Sequence, residues 1–166
     1  MTATTPAPDS TEELEYVSAH LLPAAALLTR LLAREAAAGL SRTEAGALRA
    51  LTDGPRRITD VAEVEGLAQP TTTLLIKRLE AQGLVRRERQ RDDERVVLVW
   101  LTDDGRRALE DFRACVRAVL RTHLEAMPDD KLTALAAATE ALCELNDALL
   151  GPGCSSSVAQ GEPGPP

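Results

Sequence analysis

The chain has 166 residues, 44% hydrophobic and 27% charged, with a formal net charge of −7. That length suits one compact domain with helical extensions and is too short for a large multidomain enzyme. With one Trp, one Tyr and one Phe, leucine and alanine must build the core, and both favour helices. No secretory leader and no uninterrupted apolar run of membrane-spanning length are read in the chain. Cys115, Cys143 and Cys154 are too scattered, and odd in number, for a disulfide framework. His20 and His123 lie far apart, and no Cys-x-x-Cys or His-x-x-x-His spacing offers a preformed metal site. A phosphate loop, a dinucleotide fingerprint and a nucleophile elbow are also missing from the sequence. The expectation is a cytoplasmic, reduced protein that is not an enzyme and carries no cofactor or metal.

Residues 1–10, polar with two prolines, and 151–166, rich in Gly, Pro and Ser, read as disordered tails. Between them, residues 11–39 pair leucines at helical spacing (Leu21, Leu22, Leu27, Leu28, Leu31, Leu32). Pro23 is expected to kink this segment or to start a second helix within it, and Gly39 to end it. Ser41 and Glu44 predict a capping box, opening a short helix that carries Leu48 and Leu51 and stops at Asp53-Gly54-Pro55. A second short helix spans about 59–65, with Ile58, Val61, Ala62 and Val64 on its apolar side and Gly66 as its breaker. A third follows from Gln69, with Pro70 in its first turn, and ends at Gly83. Thr72, Leu75, Ile76 and Leu79 share one face of this helix; Thr71, Thr73, Leu74, Lys77 and Arg78 share another.

The period then changes from helical to alternating. Segments 84–89 and 95–101 are strand-like and are separated by the polar run 90–94, which predicts a hairpin with a charged tip. Thr102-Asp103-Asp104 caps a long helix running to about Ala126. Met127-Pro128-Asp129 ends it, and a final Ala/Leu helix covers about 130–150. Short helix, turn, helix with exposed polar residues at its start, then hairpin: this order predicts a winged helix-turn-helix, in which a helix fits the major groove and the hairpin reaches beyond it. The charges agree. Residues 77–91 hold six basic groups against two acids, and 54–107 carries +1 while the remainder carries −8. A local cationic footprint suffices for phosphate contact.

Arg78-Leu79-Glu80 followed by Gly83-Leu84-Val85, the Asp93 and Arg95 pair, and Leu101-Thr102 with Gly105 stand in an order that strongly resembles the MarR family of bacterial regulators. The resemblance extends over about residues 11–150. It implies a mainly α fold with a small β-hairpin wing, divided into dimerisation helices at 11–40, a winged lobe at 41–101 and further dimerisation helices at 102–150. It also implies a homodimer on a pseudo-palindromic double-stranded DNA operator, released by a small lipophilic or phenolic effector. The Leu- and Ala-rich end helices independently suggest a dimer, because a lone lobe would expose their apolar surface; an intramolecular helical bundle is the alternative.

Gln69, Thr71 and Thr73 open the expected recognition helix and are short enough to reach base edges or phosphates, although one of them would equally serve as an N-cap. Thr72 stands where the family usually has an inward apolar residue. Leu74 departs from a position that often holds Arg, leaving both a thymine-methyl contact and a plain exposed leucine open. Lys77 and Arg78 are candidates for phosphate contacts. By resemblance, Arg95 is the wing arginine of the minor groove and Asp93 the acid that braces it, with Arg91 and Arg89 adding backbone contacts. Arg56 and Arg57 would approach phosphate or merely cover the adjacent strand. No distinctive polar constellation marks an effector crevice. Cys115 and Cys143 read as packed small hydrophobes, Trp100 as core, and the histidines as solitary. The functional expectation is a ligand-responsive repressor acting on the nucleoid, without membrane association; the alternative is a winged-helix scaffold that does not bind DNA.

Overall fold

The computed structural model describes residues 10–36, 39–90 and 93–150, with side chains described except at Ser10, Gln90, 93–96 and Leu150. Residues 1–9 and 151–166 of the expected tails, with Cys154, therefore lie outside the described residues, while Ser10, expected in the first tail, begins α1. Among the described residues, six helices and three strands run in the order α1 (Ser10–Ala36), α2 (Arg42–Arg49), β1 (Arg56–Arg57), α3 (Ile58–Glu65), α4 (Gln69–Ala81), β2 (Val85–Gln90), β3 (Asp93–Leu101), α5 (Asp103–Glu125) and α6 (Asp129–Leu150). The chain divides into two units, Met1–Leu120 and Arg121–Pro166.

In the first unit, Ser41 caps α2 as its sequence predicts. The Ser41 hydroxyl accepts from the Glu44 N–H at 3.2 Å, and the Glu44 carboxylate accepts from the Ser41 N–H at 2.8 Å. This exchange satisfies two donors that a helix start would otherwise leave open. Gly66 ends α3 at φ +63, a left-handed conformation that suits glycine. Pro70 sits within the first turn of α4, where a missing N–H costs nothing. The N-cap of α4 is Ala68, without a side-chain bond, so Gln69, Thr71 and Thr73 are not consumed as caps.

The buried face of α4 is the expected one. Thr72, Ile76 and Leu79 are fully buried, and Ile76 and Leu79 share one core cluster with Leu48, Leu51 and Val61, with Val85 and Val99 of the strands, and with Leu109 of α5. Burying side chains of this size stabilises by about 1.5–3 kcal/mol each. Thr72 fits this apolar core because its hydroxyl donates to the Ala68 carbonyl at 3.2 Å.

Four expectations are corrected. α1 continues through Pro23, which starts no second helix, the long helical stretches on both sides outweighing one lost backbone bond. Val64 is exposed rather than on the apolar side of α3, since its position faces away from the Val61–Ala62 contact. The sheet has three strands, not two: β1 adds to β3 antiparallel, Arg56 opposite Val99 and Arg57 opposite Leu98, giving the order β1-β3-β2. Finally, α1 over Thr11–Ala36 is long and apolar enough, by length and composition alone, to cross a membrane, with a mean hydropathy of 1.3. Averaged hydropathy tolerates the scattered Ser, His and Thr that interrupt a count of consecutive apolar residues.

β2 and β3 pair from Val85 opposite Leu101 to Arg89 opposite Val97, with an irregularity at Arg89/Gln90. Thr102 then opens α5, its hydroxyl accepting from the Gly105 N–H at 3.0 Å. In the second unit, the turn before α6 is closed by the Pro128 carbonyl, which accepts from Lys131 and Leu132 at 3.0 Å each.

Candidate nucleic-acid interface

α3 and α4 are joined by the Gly66 turn, and β2 and β3 form a hairpin directly after α4. Because Thr72, Ile76 and Leu79 fix which side of α4 faces inward, its outer side is set as well. Gln69, Pro70, Thr71, Leu74, Lys77 and Arg78 are exposed there, with Leu74 at 68%. Thr73 is half-buried, and its hydroxyl donates to the Gln69 carbonyl at 2.9 Å. That proton is engaged with backbone, leaving Gln69 and Thr71 as the side chains of the first turn whose polar ends face outward.

Arginines that the composition counts as one cationic patch are sorted by the fold. Arg78 reaches back to Glu44, which is itself buried by the α2 cap, at 3.7 Å, while its own side chain stays 70% exposed. Arg87 donates to Glu80 at 2.7 Å, tying the wing to the end of α4. Arg86 pairs with Glu88 and lies over the Trp100 ring, its guanidinium carbon 4.8 Å from the ring centroid. Trp100 is thus a half-buried platform for Arg86 rather than a core residue, and its indole N–H is buried without a partner among the described residues. Lys77 and Arg89 are exposed and make no ion pair among the described residues. Arg91 lies outside the described residues; Asp93 and Arg95 belong to β3, but their side chains are not described. Arg56 and Arg57 occupy β1 beside β3, and the Arg57 N–H donates to the Asp60 carboxylate at 3.2 Å.

A second feature of this unit escaped the sequence. A cavity of about 510 Å³ opens between α1, α2, the end of α3 and α5, lined by Thr29, Arg42, Arg49 and Glu65 over an apolar floor of Leu109 and Phe112. Arg113 adds a third guanidinium to the lining. Arg49 and Glu65 pair across it at 3.3 Å. Its polar groups come from positions too distant to form a sequence motif, although Arg42 and Arg49 are seven apart, on one helix face. Cys115, expected to pack, is exposed, and Cys143 is half-buried. His20 stacks on Tyr16, ring centroids 4.4 Å apart, with its Nδ1 2.8 Å from the Tyr16 carbonyl oxygen. Among the described residues, no group of three or more His, Cys, Asp and Glu could hold a metal ion.

A short helix, a glycine turn, a second helix with an exposed polar and cationic face, and a hairpin against it define a winged helix-turn-helix protein. The three-stranded sheet and the Thr102-capped helix complete that architecture. The model of the MarR family matches residues 38–96, which take in this lobe. It is 38% identical over 72 residues to the transcriptional regulator HosA of Escherichia coli, covering 42% of this chain and 53% of HosA. The chain spans about half the length, or less, of the curated relatives it matches. Among solved structures, it superposes on RV1404 from Mycobacterium tuberculosis with a TM-score of 0.64 at 23% identity, covering 84% of this chain and 96% of the other. It also superposes on Bordetella bronchiseptica BpsR with a TM-score of 0.54 at 24% identity, covering 75% and 91%. That structure describes regulation of BpsR's DNA binding by 6-hydroxynicotinic acid.

Proposed function

We propose that the protein is a sequence-specific DNA-binding transcriptional regulator, a repressor acting in the cytoplasm on the nucleoid as a homodimer on a pseudo-palindromic operator. The observation that carries this proposal is the outward face of α4, with Gln69 and Thr71 in its first turn and Lys77 and Arg78 further along. A helix so built presents short side chains to base edges while its cations meet the phosphates. Thr73 contributes through its half-buried oxygen. Arg89 and Arg91 lie along the phosphate backbone beyond the helix, and Arg95, braced by Asp93, enters the minor groove.

Residues 11–40 and 102–150 are assigned to dimerisation, and 41–101 to DNA. Supporting this, α1 exposes Leu14, Val17, Leu22 and Leu28, and α6 exposes Leu135, Leu145 and others. Apolar surface of this extent on single helices calls for a covering partner, and a second copy sets two lobes about one DNA turn apart. On this proposal the apolar α1 is an interface helix and not a membrane anchor. The cavity beside α2 is the effector site, its arginines suited to an acidic or phenolic group and its floor to a lipophilic body.

Selection of bound fragments from randomised and genomic DNA tests the proposal. Recovery of an inverted repeat with half-sites about one helical turn apart is expected. Failure to enrich any duplex at low salt would leave a winged-helix scaffold as the function instead.

A further inference from the structure

We infer that Leu74 reads the 5-methyl group of thymine, so that each operator half-site places a thymine against the centre of the exposed face of α4. The inference rests on the DNA-binding proposal and specifies what that surface recognises. Leu74 is 68% exposed, and the full burial of Thr72, Ile76 and Leu79 prevents α4 from rotating to hide it. On a helix its neighbours are the residues three and four away. Those are Pro70 and Thr71 toward the start of α4 and Lys77 and Arg78 toward its end, all exposed. One large apolar side chain therefore stands between a turn bearing ring and methyl carbons and a turn bearing two cations.

The cations decide the kind of occupant. An apolar protein partner would want a stripe of several hydrophobic residues, whereas this face offers one leucine beside Lys77 and Arg78. A polyanion with an apolar spot matches it. When the face enters a major groove, the leucine strips water from whatever base edge it meets. Against the acceptors of guanine or the N7 of adenine, a polar atom would lose its hydrogen bond and gain none. The thymine methyl is the apolar group on the major-groove edge, and burying it against Leu74 is favourable. The side chains that read purines by paired hydrogen bonds are arginine, lysine, asparagine and glutamine; on this face, Gln69 lies in the first turn, Lys77 stands a turn further along, and Arg78 is drawn toward Glu44. The centre of the helix is left to methyl recognition.

The test uses the full-length protein and a duplex that it has selected from randomised DNA. Each thymine is replaced in turn by uracil, which keeps every hydrogen-bonding group and removes only the methyl. For the wild-type chain, affinity should fall about fourfold when the critical thymine of a single half-site is changed, and about fifteenfold when it is changed in both, the value of burying one methyl-sized group in each lobe. Leu74→Ala should still bind the duplex and should not distinguish thymine from uracil at that position. Equal wild-type affinity for every uracil-substituted duplex, or full discrimination retained by Leu74→Ala, overturns the inference while leaving the DNA-binding proposal intact. If no duplex is selected, both fall together. Should Leu74→Ala misfold, the uracil scan of the wild-type chain decides by itself.

Discussion

Thr102 joins the start of α5 to the end of α4: its hydroxyl donates to the Gly83 carbonyl at 2.7 Å while accepting from the Gly105 N–H at 3.0 Å. One side chain thus caps a helix and closes the turn that carries α4 into the wing. The Thr102 N–H donates to the Leu84 carbonyl at 3.2 Å, so three contacts meet at this junction. Thr102→Val, which keeps the shape and removes the hydroxyl, should lower unfolding stability by about 1–2 kcal/mol through the lost cap and the unpaired carbonyl. Thr102→Ser should recover most of it. Urea unfolding midpoints of the two variants check this; equal midpoints would mean the hydroxyl bridge contributes nothing.

Two glycines on helices predict opposite outcomes for the same substitution. A Cβ at Gly105 would lie 2.0 Å from the Leu84 carbonyl oxygen, which is backbone and cannot move aside. Gly105→Ala should therefore cost about 3 kcal/mol or prevent folding, the upper range for overpacking. A Cβ at Gly46 would lie 2.1 Å from Glu65 Oε2, the free end of a side chain that can swing away. The clash costs the Arg49–Glu65 pair, while alanine gains about 1 kcal/mol of helix propensity over glycine, so Gly46→Ala should leave stability within about 1 kcal/mol of wild type. Thermal unfolding of both variants separates the cases.

These junctions explain which parts of the architecture could be read before any coordinates. Ser41 with Glu44, Gly66 and Pro70 announce themselves because capping and turn chemistry is local. The inward face of α4 shows as a 3.6-residue period, and the wing as a change to period two. β1 escapes because two arginines carry no alternation, and only pairing with Val99 and Leu98 makes them a strand. The sorting of the arginines escapes for a similar reason. Arg78 meets Glu44, Arg87 meets Glu80, and Arg49 meets Glu65, and the first and last of these contacts depend on how α2 packs against α3 and α4. A charge count sees a patch of six; the fold leaves Lys77 and Arg89 unpaired among the described residues.

That sorting has a measurable consequence for phosphate contact. Lys77→Ala and Arg89→Ala should each flatten the dependence of log affinity on log salt by about one counterion per lobe. Arg87→Ala should change the slope less, because Arg87 is already neutralised by Glu80, and should instead loosen the wing. Operator titrations over a range of salt concentrations give all three slopes. A larger change for Arg87 than for Lys77 would reverse the assignment.

At the wing, the assignment of Arg95 to the minor groove predicts a loss of a different kind. An arginine in a narrow minor groove gains from the enhanced negative potential there as well as from contact. Arg95→Ala should weaken operator binding by about tenfold or more at fixed salt, a larger loss than for a single backbone contact. Titration of the selected operator checks it, and unchanged affinity would remove Arg95 from the interface.

The apolar helices predict a separation between folding and assembly. Leu22 and Leu28 of α1 are 75% and 49% exposed on the single chain, so aspartate at both positions buries no charge in an isolated protomer. The double variant Leu22→Asp/Leu28→Asp should keep the thermal transition of the winged lobe. In a homodimer, the same two carboxylates would be forced into an apolar contact, which costs several kcal/mol per unpaired ion. Sedimentation should therefore show a dimer for the wild-type chain and a monomer for the variant. With the two lobes no longer linked, operator affinity should fall by about a hundredfold or more, the usual loss when a second binding event ceases to be intramolecular. A variant that stays dimeric would place the interface elsewhere. One that turns monomeric yet binds the full operator unchanged would show that a single lobe suffices.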